Sequence, residues 1–201
     1  KDDIKFGVNL SFINLIQQFA NYGDKLIIGF FLDFHSLGIY TFAFLIPEQI
    51  KLFLKNIFTL ALPKYSKKIE TEISGRIWKH WFYILIPTLL VIAAYIAAAP
   101  KIFELFFPKY LESIVFSQAI AMSLIFLPSK IFITAFEAHR KTSSLLIINM
   151  VLPIQKIILL LALIPILHTW GAVIALVITR ITEMIICPLL FNQNFEEKNK
   201  A

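Results

Sequence analysis

Asp24, Lys25, Glu48, Lys51, Lys55, Lys130, Lys156, Arg180 and Glu183 all fall within long apolar stretches of this chain. An ion facing lipid costs roughly 2.5–3.5 kcal/mol even on the lenient insertion scale, so such groups belong in a wet or protein-walled interior. Their spacing supports that placement. Ser11, Asn14, Gln18, Asn21 and Lys25 recur every three or four residues and fall on one side of a helix, with Gln17 and Asp24 at its margin. Glu48, Lys51, Lys55 and Thr59 share a second face, just past Pro47, which removes a backbone donor and favours a kink. Lys130, Thr134 and Glu137 form a third stripe, and Asn149, Pro153 and Lys156 a fourth. Such faces call for water or polar partners. The same charges have a plainer use as fasteners between helices, pairing Asp24 with Lys25, Glu48 with Lys51 or Lys55, and Arg180 with Glu183. Lys130 and Glu137 can also snorkel toward the interface.

The elements that must position these residues follow from composition. The chain has 201 residues, 58% of them hydrophobic and 20 of them Phe, with a mean hydropathy of +0.76. The expected fold is all-α: a six-helix transmembrane bundle filling the chain, with spans near 4–32, 37–62, 79–99, 111–136, 143–166 and 170–191. Tyr65, Ile69, Ile73 and Ile77 recur every four residues between Lys64 and Lys79, which predicts an interfacial amphipathic helix over 64–79, with Trp78 and Trp81 in the interfacial belt.

The formal charge is +6, but its basic residues are scattered among apolar spans, which argues against nucleic acid. With the N-terminus cytoplasmic, the inside segments hold Lys1, Lys5, Lys64, Lys67, Lys68, Arg76, Lys79, Arg140, Lys141, Lys198 and Lys200. The outside segments hold only Lys101 and Lys109, so the positive-inside rule puts both ends in the cytoplasm. The chain opens on Lys1 with no signal-peptide pattern, and is expected to be a fragment of a longer protein. Cys187 is the lone cysteine, and an intramolecular disulfide is excluded. His35, His80, His139 and His168 stand far apart at span ends or loops and form no expected metal site.

Phosphate-loop, zinc-protease and nucleophile-elbow motifs are missing, no catalytic residue is assigned, and the chain is not expected to be an enzyme. His35-Ser36-Leu37-Gly38 and His168-Thr169-Trp170-Gly171 repeat a pattern before an apolar run. There Ser or Thr is expected to cap the helix, and Gly to allow a tight turn or close approach.

The run Asn21-Tyr22-Gly23-Asp24-Lys25-Leu26-Ile27-Ile28-Gly29, continued by Leu37-Gly38-Ile39-Tyr40-Thr41-Phe42-Ala43, resembles the seventh and eighth helices of polysaccharide-transporter flippases of the multidrug/oligosaccharidyl-lipid/polysaccharide exporter superfamily. Phe107-Pro108-Lys109-Tyr110 is similar to that family's outer loop. Asn149 and Trp170-Gly171-Ala172-Val173-Ile174-Ala175 are similar to parts of its eleventh and twelfth helices. The resemblance implies the C-terminal half of a MATE-like twelve-helix transporter, whose N-terminal six-helix half is a missing partner. It implies alternating-access flipping of a lipid-linked, polyprenyl-pyrophosphate oligosaccharide across a bacterial inner membrane during O-antigen, capsule or other polysaccharide assembly, with no cofactor beyond a coupling H⁺ or Na⁺. Membrane lipids are the other expected partners. In the flippase that the resemblance implies, Lys25, Lys51 and Lys55 would meet the pyrophosphate, and Asn14, Gln18 and Asn21 would bond to sugar hydroxyls. The alternatives within transport are a cation-coupled multidrug exporter, in which Asp24 or Glu48 would bind the coupling H⁺ or Na⁺, and a lipid II flippase; outside it stand a membrane-embedded glycan enzyme and a helical scaffold.

Overall fold

A computed structural model describes residues 22–59, 70–139 and 141–195. Among them are helices and no strand. Helix α1 occupies residues 22–31, α2 Phe34–Thr59 and α3 Glu70–Phe106. A single 3₁₀ turn, Pro108–Tyr110, leads to α4, Ser113–Met122; a 3₁₀ stretch, Ser123–Ser129, joins α4 to α5, Lys130–Ala138. Helices α6, Thr142–Leu167, and α7, Thr169–Phe195, close the chain. Among the described residues five segments are long and apolar enough to cross a membrane: Phe34–Asn56, Trp81–Phe106, Ser113–Glu137, Thr142–Leu167 and Thr169–Gln193; most of the expected span 4–32 lies outside the described residues. By helix length and hydropathy this is a multi-pass membrane protein.

Prolines 47, 87, 100, 153, 165 and 188 all lie inside helices. Proline is tolerated there because hydroxyls and neighbouring helices take up freed backbone groups. The Thr88 hydroxyl donates to the Ile84 carbonyl at 2.8 Å beside Pro87, and Thr134, Thr179 and Thr182 likewise bond the carbonyl four residues back. Pro100 does not end α3, which runs on to Phe106. Residues 70–79, the described part of the expected interfacial helix, are helical and continue into the span without a break.

The segment from Ser113 to Glu137 forms the middle of the bundle. In its most apolar stretch 61% of residues are buried, against 17–28% in the other four spans. Its centre winds as a 3₁₀ helix, in which Pro128 lacks a backbone donor and the Ser123 and Ser129 hydroxyls bond the carbonyls of Ile120 and Phe126, three residues back. Ser113 Oγ donates to the Ile39 carbonyl at 2.9 Å, Gln118 Nε2 to the Ile96 carbonyl at 3.0 Å, and the hydroxyls of Tyr95 and Ser117 bond each other, so this span is stitched to both α2 and α3.

Phe30, Phe53, Phe82, Tyr83, Leu90 and Ile158 stand exposed on the outside of the bundle. That exterior would be a liability in water and suits lipid.

Two hairpin turns and the Phe107–Tyr110 loop gather at one end of the bundle, here called the hairpin end. Tyr110 stacks on Phe42 with ring centroids 3.8 Å apart and lies 3.2 Å from where a Cβ on Gly38 would be; Phe116 packs on Trp170. A Cβ on Gly171 would fall 2.3 Å from the Leu163 carbonyl oxygen, so the expected close approach is real at both glycines. The expected caps differ. Asp33, not Ser36, caps α2, with its Oδ1 accepting from the Ser36 backbone N–H at 2.8 Å; Thr169 is buried without a side-chain hydrogen bond among the described residues. His168 closes the second hairpin with φ 53° and ψ −132°.

Candidate functional site

Two apolar clusters bracket a belt of charge. Toward the hairpin end, Ile28, Tyr40, Ala43, Ile120, Leu160, Ile164, Ala172 and Ala175 pack together, the alanines letting helices approach closely. Toward the opposite end lie Phe132, Ala135, Phe136, Ile148, Cys187 and Phe191. At 1.5 Å per helical residue, Asp24 and Tyr40 lie about 10 Å from the hairpin end. Lys156 and Arg180 lie about 16 Å in, Glu48 and Glu183 about 21 Å, and Lys51 about 25 Å. The charged groups therefore lie along the middle stretch of the bundle, between its two apolar clusters, where their mutual interactions are little screened.

Asp24 is 3% exposed and fully engaged. Its Oδ2 accepts from the buried Tyr40 hydroxyl at 2.9 Å and meets Lys156 Nζ at 3.5 Å, while Oδ1 accepts from the Lys25 backbone N–H at 2.8 Å. This joins α1, α2 and α6. Glu48 instead holds Lys51 one turn along the same helix, with Nζ at 2.8 and 3.0 Å from its two oxygens. Glu183 of α7 pairs with Lys130 of α5 at 2.6 Å. Arg180 donates to the Ser123 hydroxyl in the 3₁₀ stretch, and lies within electrostatic reach of Glu183, Glu48 and Tyr40. Lys51 in turn feels Arg180 and Lys130, so the pairs make one connected network.

Of the residues expected to bind substrate, Asn14, Gln18 and Asn21 lie outside the described residues. Lys25, Lys51 and Lys55 are described. Lys51 faces the network, Lys25 is partly buried beside Asp24, and Lys55 is exposed at the far end of α2. Of the expected ion pairs, Glu48 with Lys51 is present. Asp24 pairs with Lys156 rather than Lys25, because neighbours on a helix point about 100° apart and Lys156 approaches from another helix. Glu183 pairs with Lys130 rather than Arg180, so Lys130 does not simply snorkel. Helical spacing carries no sign of Tyr40 as a donor to Asp24; only its position among the buried apolar residues Ile39 and Ala43 of α2 could have shown it. Among the described residues no cluster of His, Cys, Asp and Glu could hold a metal ion.

No family model, no curated protein and no solved structure matches this chain.

Proposed function

We propose that the chain is part of a flippase that carries a lipid-linked oligosaccharide across a membrane, with the polar headgroup passing through the charged belt and the lipid tail remaining in the bilayer. One observation carries this reading: ionisable residues from α1, α2, α5, α6 and α7 converge on one network inside the bundle, in which the four cations Lys51, Lys130, Lys156 and Arg180 outnumber the three acids Asp24, Glu48 and Glu183. An interior of that sign attracts a pyrophosphate and repels an organic cation. Resemblance of the 21–29, 37–43, 107–110 and 170–175 runs to polysaccharide-transporter flippases supports the same class. In the reading, this bundle is one of two that rock about a shared cavity, with both ends of the chain cytoplasmic in a bacterial inner membrane.

The experiment is complementation. In a strain lacking its own O-antigen or capsule flippase, the complete parent protein restores surface polysaccharide when the sugar unit matches, and does not raise tolerance to cationic dyes. Dye tolerance without glycan export, abolished by Asp24→Asn or Glu48→Gln, would move the assignment to a cation-coupled exporter.

A further inference from the structure

All three acids of the belt already have a basic partner: Asp24 has Lys156, Glu48 has Lys51 and Glu183 has Lys130. Arg180 is different. Among the described residues no carboxylate lies within ion-pair distance of its guanidinium, and its one hydrogen bond goes to a neutral hydroxyl, Ser123 Oγ. Glu183 is one turn away on the same helix and within electrostatic reach, but its Oε1 is 2.6 Å from Lys130. A guanidinium keeps its charge at any physiological pH and offers five N–H donors in a planar fork. One donor is used here, in a setting where an unpaired charge is costly. Arg180 keeps part of its surface exposed, and its remaining donors meet no protein acceptor among the described residues. It also lies within electrostatic reach of Lys51, which adds a second positive potential.

We propose that Arg180 is the anion seat of the belt: its free donors take a phosphoryl oxygen pair in bidentate fashion, while Ser123 holds the guanidinium in register from the 3₁₀ stretch. The proposal rests on the flippase reading and sharpens it. The strongest phosphate contact comes from α7, and Lys51 and Lys25 supply potential around it. The 3₁₀ winding has a use in this arrangement, since it sets Ser123 at the point where α4 gives way to α5, facing Arg180 across the bundle.

The test uses the complete parent protein in lipid nanodiscs and three probes: farnesyl pyrophosphate, inorganic pyrophosphate and phosphatidylglycerol supplied in vesicles. Farnesyl pyrophosphate is expected to bind. Arg180→Gln weakens it on the order of 10–100-fold, the usual worth of a charge-assisted contact, and Arg180→Lys weakens it less because charge survives without the fork. Ser123→Ala gives a smaller loss. Without ligand, Arg180→Gln melts no lower than the parent, because it removes a charge that has no carboxylate of its own; a structural counter-ion would lower the melting point when removed. Inorganic pyrophosphate competing at equal strength identifies a free phosphate site, and phosphatidylglycerol competing identifies a lipid headgroup site; both remain Arg180-dependent if the seat is right. Farnesyl pyrophosphate binding that is unchanged in Arg180→Gln overturns the seat and leaves the flippase reading standing. An Arg180→Gln protein that does not fold also overturns it. A parent protein that binds none of the three probes defeats both.

Discussion

Asp24 with Lys156 and Glu48 with Lys51 are pairs of the same chemistry in the same membrane, yet they are built differently. The first joins separate helices, with side chains only 4% and 12% exposed and a buried tyrosine completing the carboxylate's partners. The second lies within one helix, with both side chains about a third exposed (36% for Glu48 and 32% for Lys51). A pair closed off from its surroundings fixes helices to each other. A pair that is one turn long and open on one side can exchange its partner for a ligand at small cost. The belt thus contains both uses of charge inside the bundle, and the difference lies in how many helices contribute rather than in which residues are present.

The largest effect is expected at the closed pair. Asp24→Ala leaves Lys156 without its carboxylate and the Tyr40 hydroxyl without its acceptor, both buried. Removing one member of a buried pair typically costs about 3–5 kcal/mol, so folded protein recovered from the membrane should fall sharply. Replacing Lys156 as well, in Asp24→Leu/Lys156→Leu, should recover much of the loss, since the pair is then exchanged for apolar packing. If Asp24→Ala folds normally and only transport is lost, the closed pair is not a fastener and the contrast fails.

Lys130 with Glu183 is intermediate, joining two helices while leaving the lysine 38% exposed and the acid 12% exposed. Lys130→Met should lower the unfolding free energy by about 1–3 kcal/mol, less than Asp24→Ala, because this pair is more open at its lysine and the substitution strands one buried group, the Glu183 carboxylate, rather than two. Thermal melts of Asp24→Ala and Lys130→Met in one detergent give the ordering. A Lys130→Met loss as large as that of Asp24→Ala would show that exposure does not govern the cost.

At the open pair stability and function should separate. Lys51→Ala should alter stability by no more than about 1 kcal/mol, as partly exposed pairs do, while abolishing glycan export. Lys51→Arg should keep part of the activity, since charge survives and geometry changes. Protein level by immunoblot and surface polysaccharide are read from the same cells. Loss of the protein itself would place Lys51 among the fasteners.

The sequence made much of this scaffold legible, for physical reasons that also mark its limit. Spans read at 37–62, 143–166 and 170–191 correspond to Phe34–Thr59, Thr142–Leu167 and Thr169–Phe195, because length and hydropathy are local properties of a chain in lipid. Pro100 looked like the end of a span and lies inside a helix, since a single missing donor is easily accommodated in a packed bundle. The middle span hid its 3₁₀ winding, which depends on serine hydroxyls bonding carbonyls three residues back as much as on Pro128. For the site, helical spacing found Glu48 with Lys51 because both lie on one helix. It missed Lys156 for Asp24 and Lys130 for Glu183 because a partner on another helix depends on rotation and depth, which no single helix encodes.

The smallest expected effect concerns what holds the closed pair's two N-terminal helices at the right angle. Asp33 lies between α1 and α2, outside the spans, and its carboxyl is held below the ordinary value of 3.8, first by the Ser36 hydroxyl and then by the Ser36 backbone N–H. A carboxyl whose folded pKa is depressed contributes stability above its unfolded pKa and loses it as pH falls through the folded one, so the cap weakens only below about pH 4. Asp33→Asn keeps an oxygen to accept the Ser36 N–H and should melt close to the parent at pH 7. Between pH 5 and pH 3 the melting point of the parent should decline slightly more than that of the variant. The difference is small because the group is exposed, and it should shrink further in high salt. Comparison in the Asp24→Leu/Lys156→Leu background makes it informative. If the cap serves to present Asp24 to Lys156, its pH dependence and the closed pair should be coupled, whereas equal slopes in both backgrounds would mean that the turn and the belt act independently.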